Sequence, residues 1–166
     1  ALERLHALGH RRIVQLTPED RSFPTPGFSE QAFLNDLKDL GIVTGRYNLV
    51  SWDGSVVDFH RQLEALFRYT PPTAVFFSEP PQLLAAQQHL GRMGKSVPED
   101  VSMICRDPSG AFDWFEPSIA HITWSHEPML RRAVNWANNV AQGKRDTRQS
   151  KTRAKFIDGG TIGPAR

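Results

Sequence analysis

The stretch Gly94-Lys-Ser-Val-Pro-Glu-Asp-Val-Ser-Met-Ile-Cys-Arg-Asp-Pro108 decides the fold. Gly94 can adopt the left-handed conformation that closes a helix. Pro98 cannot continue that helix and pushes Val97 towards extended geometry. Val101, Met103, Ile104 and Cys105 then form a short apolar run, as expected of a strand covered on both faces. The run stops at Arg106-Asp107-Pro108, so Asp107 is expected just past the carboxyl end of a buried strand. In open α/β sheets ligands bind at that edge.

The same alternation extends in both directions. Upstream, Leu2, Leu5 and Leu8 share a helical face that ends at Gly9, and Arg12-Ile-Val-Gln-Leu16 is a strand. Residues 17–26 carry Pro18, Pro24 and Pro26 and form a loop, after which Phe28, Ala32, Phe33, Leu37 and Leu40 give helical spacing up to Gly41. Tyr47-Asn-Leu-Val-Ser-Trp52 is a strand, Asp53-Gly54 a turn, and Ser55-Val-Val-Asp58 resembles a capping box before a helix whose apolar face is Val56, Phe59, Leu63, Leu66 and Phe67. Thr73-Ala-Val-Phe-Phe77 is a continuous apolar strand, followed by a helix that starts at Pro80-Pro81 and carries Leu83, Leu84, Ala86, Leu90 and Met93. Downstream come an aromatic loop at 106–117, a strand at Ile119–Trp124, and a helix over Glu127–Ala141 with Leu130, Ala133, Val134 and Ala137 facing inward. A polar basic segment, a last strand at Lys155-Phe-Ile157, and a Gly-rich tail expected to fray complete the chain. Alternation of this kind predicts an α/β protein: a mostly parallel sheet with helices on both faces.

The chain has 166 residues, 39% hydrophobic and 23% charged, which suffices for a packed core. A net charge of +2, from 20 basic and 18 acidic residues, demands neither nucleic acid nor a membrane as partner. Cys105 is the single cysteine, so no internal disulfide can form, and a reducing cytoplasmic setting is expected. No apolar run approaches the roughly 18–20 residues of a membrane span. The opening Ala1-Leu-Glu-Arg-Leu-His is amphipathic and not a secretion signal, and without an initiator Met a fragment of a longer protein is expected.

Val97-Pro-Glu-Asp-Val-Ser102, followed by an apolar pair and an Asp, resembles a hallmark of lactose-repressor/galactose-repressor (LacI/GalR) type regulators. Further marks fall in register: Leu8-Gly-His-Arg-Arg-Ile13, the helix ending at Leu40-Gly41-Ile42, Pro72-Thr-Ala-Val-Phe76, Arg131-Arg-Ala-Val134, and Lys155-Phe-Ile157 through Thr161. The resemblance implies a two-lobed, periplasmic-binding-protein-like sensor with effector between the lobes, preceded by a helix-turn-helix domain that binds operator DNA. It places residues 1–123 in the second lobe. Residues 124–152 become a crossover and helix belonging to the first lobe, which this chain lacks, and residues 153–166 a last strand and tail. The apolar face of the 124–152 segment is then expected to lie exposed or to be covered by another molecule.

The resemblance also implies ligand-binding residues. Asp107 matches the effector-binding acid, able to accept hydroxyl hydrogen bonds; the plain alternative is a turn Asp before Pro108. Trp52 or its neighbour Asp53 falls where an aromatic ring packs on the effector, and Trp124 lies at the crossover; either indole could instead be core. The family's sugar-binding Arg is replaced by Ser29, and its Asn-Asp after the Pro-Thr-Ala strand by Glu79-Pro80, where Glu79 can accept hydrogen bonds instead; the resemblance therefore leaves the sugar specificity open. A dimer interface is implied for the loop with Phe112, Trp114 and Phe115 and for the helix with Leu83 and Gln87; the alternative is a loop folded onto its own domain. The run Lys144–Lys155 could touch phosphates or be a solvated linker.

Catalytic and metal signatures are missing. There is no phosphate-loop, dinucleotide or His-Glu-x-x-His pattern, and the six histidines show no metal-ligand spacing. Cys105, in an apolar strand, is expected to be inert. The resemblance implies, and no catalytic motif opposes, a non-enzymatic, effector-sensing and dimerising fragment of a transcriptional regulator. Its effector would be sugar-like or nucleobase-like, with no cofactor, metal or membrane partner. The alternatives are a sugar-type binding protein, a structural dimerisation module, or a small metal-dependent enzyme using Asp107, Glu79 and Asp53.

Overall fold

A computed structural model describes residues 1–166. The six strands are β1 (Ile13–Pro18), β2 (Leu49–Trp52), β3 (Ala74–Phe77), β4 (Ser102–Cys105), β5 (His121–Trp124) and β6 (Ala154–Ile157). They form one sheet in the order β2-β1-β3-β4-β5-β6, parallel throughout except for the β5–β6 pair. Five helices punctuate them: α1 (Leu2–Ala7), α2 (Phe28–Asp39), α3 (Val56–Tyr69), α4 (Pro80–Arg92) and α5 (Glu127–Ala141).

Two-residue periodicity in the strands divides the core into two layers. Val14, Leu16, Val75, Phe77, Met103 and Cys105 point towards α3 and α4, where Phe59, Leu63, Leu83 and Leu90 meet them. Ile13, Ala74, Phe76 and Ile104 point the other way, onto Leu5 of α1 and Phe33 and Leu37 of α2. Such double coverage explains why β3 reads as an unbroken apolar run and why β4 is apolar from Met103 to Cys105.

Local signals hold the ends in place. Gly94 takes φ +70 just beyond α4, where a residue with a Cβ is strained. Ser55 caps α3 by accepting from Asp58 N at 3.1 Å. The return arm of the expected capping box is different: Asp58 Oδ2 accepts from Asp53 N at 2.9 Å, two residues further back, while Asp53 Oδ1 accepts from Ser55 N. That backbone donor is the main reason Asp58 is held below the ordinary carboxylate pKa, with Arg61 and Gln62 adding to it. β2 starts later than the sequence suggests, because Arg46–Asn48 form a 3-10 turn. Asn48 is buried there, donating to Ile13 O at 2.9 Å and accepting from Gly45 N at 2.9 Å.

The tail does not fray. Thr161 wedges between β4 and β5: Met103 N donates to Thr161 O, Ala120 N donates to Thr161 Oγ1, and Thr161 Oγ1 donates to Met103 O. A Cβ on Gly159 would come within 2.4 Å of Ala120 N, and one on Gly160 within 2.4 Å of the Pro117 ring. The glycines therefore serve close backbone approach, not flexibility.

His10 gathers the amino ends of three strands and this tail. Its Nδ1 lies 2.9 Å from Thr73 Oγ1, and its Nε2 lies 2.8 Å from Gly163 O and 3.1 Å from Ser102 Oγ. Burial lowers its pKa, against the pull of the Gly163 carbonyl.

The last helix spans Glu127–Ala141 and presents an apolar face to the outside, as expected of a segment that lacks its partner lobe. None of its residues is buried, so Leu130, Ala133, Val134 and Ala137 do not face a core within this chain. Met129, Leu130, Val134, Trp136 and Val140 all remain exposed. The basic segment after it is anchored to the helix through Arg132 and Asn139, with Arg132 also donating to Arg148 O at 2.6 Å. Asp146 accepts from Arg132 Nη2 at 2.8 Å, Arg132 Nη1 at 3.1 Å and Asn139 Nδ2 at 2.8 Å.

Candidate functional site

Because β1 to β5 run parallel, their carboxyl ends share one edge, and the chain order reverses between β1 and β3. Open sheets of this kind form their ligand crevice at such a switch point. Here a cavity of about 330 Å³ is lined by Arg21, Ser29, Ser78, Arg106, Asp107, Ile122 and Trp124. Arg21 follows β1, Ser78 follows β3, Arg106 and Asp107 follow β4, and Ile122 and Trp124 belong to β5. Ser29 lies in the first turn of α2, whose cap residue Gly27 offers the backbone no side chain.

One side of the cavity is built on a buried carboxylate. Glu30 is only 2% exposed and accepts from Gln15 Nε2 at 3.2 Å and Thr17 Oγ1 at 3.3 Å. Arg106 Nη1 stands 3.8 Å from Glu30 Oε1, and Arg106 Nη2 donates to Ser29 Oγ. Gly27 is what lets Glu30 fold back, since a Cβ there would come within 2.9 Å of Glu30 Oε2. Burial lowers the pKa of Arg106, while Glu30 and Asp107 support its charge.

The expected ligand-binding residues divide between places. Ser29, Asp107 and Trp124 meet in the cavity just described. Trp52 and Glu79 line a separate notch of about 280 Å³ with Phe59, His60, Pro81 and Gln82. Trp52 packs edge-on against Phe59 at 5.5 Å, and its Nε1 is buried without a partner. Asp53 enters neither space; it is exposed and occupied with the turn before α3. Asp107, Glu79 and Asp53 therefore do not converge as a cation-binding trio, and no group of three or more His, Cys, Asp or Glu side chains is placed to hold a metal.

Arg106, like Arg21, lines the site without belonging to any expected ligand-binding motif. Its signal was present: a lone Arg directly after a buried strand, next to the acid singled out there. What was missing was the knowledge that α2 lies beside that strand end and presents Ser29 and Glu30 to it.

The surface expected to pair with a second copy is also rearranged. Phe112 is 3% exposed and Leu83 is fully buried, both in the core layer beneath α3 and α4. Neither offers surface to a partner. Phe112 turns inward because Ser109 caps a 3-10 turn over Gly110–Trp114 that rolls its ring beneath the loop. Trp114 is 89% exposed, and Phe115 joins Leu84, Ala85, Gln87 and Gln88 around an open groove of about 500 Å³.

A single-sheet α/β unit with a polar cavity at its switch point is an arrangement suited to holding a small ligand. The chain belongs to the periplasmic binding protein-like domain family, whose profile matches residues 2–162. No curated protein matches it by sequence. Among solved structures it is similar to a LacI family transcriptional regulator from Bifidobacterium animalis, at 20% identity and a TM-score of 0.83, covering 99% of this chain and 60% of that one. It is similar to a LacI family regulator from Enterococcus faecium with bound ribose, at 20% identity and a TM-score of 0.79, covering 98% and 61%. A third, from Arthrobacter sp. in complex with lactose, has 16% identity and a TM-score of 0.76, covering 97% and 61%. The chain thus spans about three-fifths of the length of these regulators. No helix is long and apolar enough to cross a membrane.

Proposed function

We propose that this chain is the second lobe of the effector-sensing domain of a LacI/GalR-type transcriptional regulator, a cytoplasmic protein that senses and does not catalyse. The observation that carries this reading is the cavity of Ser29, Arg106, Asp107 and Trp124 at the switch point of a parallel sheet. Asp107 accepts hydroxyl hydrogen bonds from the effector, and Arg106, positioned by Glu30, donates to its oxygens. Trp124 and Ile122 supply an apolar wall for the ring. The sugars bound by the similar regulators support a sugar-like effector.

The lobe boundary belongs to the same proposal. Residues 1–123 form this lobe; 124–152 cross to the other lobe, and 153–166 return. The exposed stripe of Met129, Leu130, Val134 and Val140 on α5 is the surface that the other lobe covers. Trp114, Phe115 and Gln87 supply the face that pairs two copies, and operator DNA is bound by a separate domain. Effector binding between the lobes then shifts the population competent for DNA.

Thermal-shift measurements on the full-length protein against a panel of sugars and nucleobases test the reading. A stabilising member is expected, and Asp107→Asn is expected to abolish its shift. Silence across the panel, or a shift indifferent to Asp107→Asn, refutes it.

A further inference from the structure

We propose that the effector is a hydroxylated acid, a sugar carboxylate or sugar phosphate, whose anionic group is gripped between Arg106 and Arg21. The proposal rests on the effector-sensing reading and names the class of molecule sensed. The cavity surface carries the guanidiniums of Arg21 and Arg106 against one carboxylate, Asp107. Glu30 does not line it; this carboxylate lies behind Arg106, taken up by Gln15 and Thr17, and offsets the burial of the guanidinium from the rear. At 3.8 Å it does not hydrogen-bond Arg106, whose one side-chain hydrogen bond goes to Ser29. The remaining Arg106 donors have no protein acceptor, and Arg21 forms no ion pair. Two guanidiniums close enough to repel, with free forked donors, match the planar oxygens of a carboxylate or phosphate. The first turn of α2 opens on the same cavity through Ser29, and its unpaired amide dipoles favour negative charge. Asp107 stands at the other side and suits hydroxyls, while Trp124 and Ile122 suit the apolar face of a ring.

Calorimetry of the full-length protein with matched pairs provides the test: D-glucuronate against D-glucose, D-ribose 5-phosphate against D-ribose, and inorganic phosphate alone. The acidic member of at least one pair is expected to bind about tenfold or more tighter than its neutral twin. Its affinity is expected to weaken with added salt while that of the neutral twin holds. The two pairs separate a carboxylate from a phosphate requirement; phosphate binding as tightly as the sugar phosphate would mean that the hydroxylated part is not read, and would overturn the proposal. Arg106→Gln is expected to erase the acid preference. Because that change strands Glu30, Arg21→Gln at an exposed position serves as the second variant, expected to reduce the preference at least threefold with thermal stability unchanged. A neutral sugar that binds as well as its acidic twin overturns this proposal and leaves effector sensing standing. Silence from every compound here and in the wider panel overturns both.

Discussion

Arg106 Nη1 lies 3.8 Å from the buried Oε1 of Glu30, at the point where the end of β4 meets the first turn of α2. This contact joins the stability of the fold to the shape of its cavity. A carboxylate at 2% exposure is tolerated only because Gln15, Thr17 and Arg106 surround it. Glu30→Gln keeps the volume, removes the charge and leaves the guanidinium without its counter-charge. Because Arg106 is itself partly solvated, the expected loss is about 1–3 kcal/mol, below that of a fully buried broken pair. Denaturant midpoints check it; an unchanged midpoint would show that the carboxylate is not needed for the fold.

His10 makes stability depend on pH with a defined sign. Burial lowers its pKa in the fold below the ordinary value of 6.5, so the unfolded chain takes up a proton more readily. Stability is therefore full above about pH 6.5 and declines as pH falls from there towards the folded pKa. His89, whose pKa is also lowered by burial, adds to the same trend. His10→Ala removes a ring fully enclosed by Thr73, Ser102 and Gly163, and is expected to cost about 2–4 kcal/mol from the cavity and the polar groups left unpaired. Melting temperatures between pH 5 and 8 should fall with acid in the native protein, with a shallower slope in the variant.

Cys105 should be silent to thiol reagents. It is fully buried in β4, and that burial pushes the thiol pKa up to about 11. Both access and thiolate fraction are then minimal at neutral pH. Labelling by a disulfide reagent is expected only as fast as the chain opens, and to become immediate in denaturant. Stoichiometric labelling of the native protein within seconds would contradict this placement.

Trp114 separates stability from association. At 89% exposure its indole contributes little to the core, so Trp114→Ser is expected to leave the melting temperature within about a degree, as surface changes usually do. If the groove of Leu84, Ala85, Gln87, Gln88 and Phe115 pairs two copies, the same change weakens self-association at least tenfold, since exposed aromatics dominate such faces. Sedimentation equilibrium of both proteins reads the difference. An unchanged association constant removes Trp114 from the interface.

Much of the fold was legible from one dimension. Apolar runs at Ala74–Phe77 and Met103–Cys105 and helical spacing from Val56 to Tyr69 fall within the observed elements. They are legible because strand and helix periodicities are local properties of the chain. The tail was misread because glycine serves flexibility and close approach alike. Gly159 and Gly160 differ from linker glycines only through Ala120 and Pro117, which lie against them in space.

The amino-acid order by itself determined that this chain alternates strand and helix, and that Asp107, Glu79, Trp52 and Trp124 fall at strand ends. Only the tertiary structure decided which of them face one another. Strand order put β4 and β5 beside the start of α2, so Asp107 and Trp124 share a cavity with Ser29, Arg21 and Arg106. Trp52, on the far edge strand, was left to a notch against α3 and α4. The reason is physical: periodicity fixes which way a side chain points from its own element, whereas its neighbours depend on long-range packing that no short window of sequence contains.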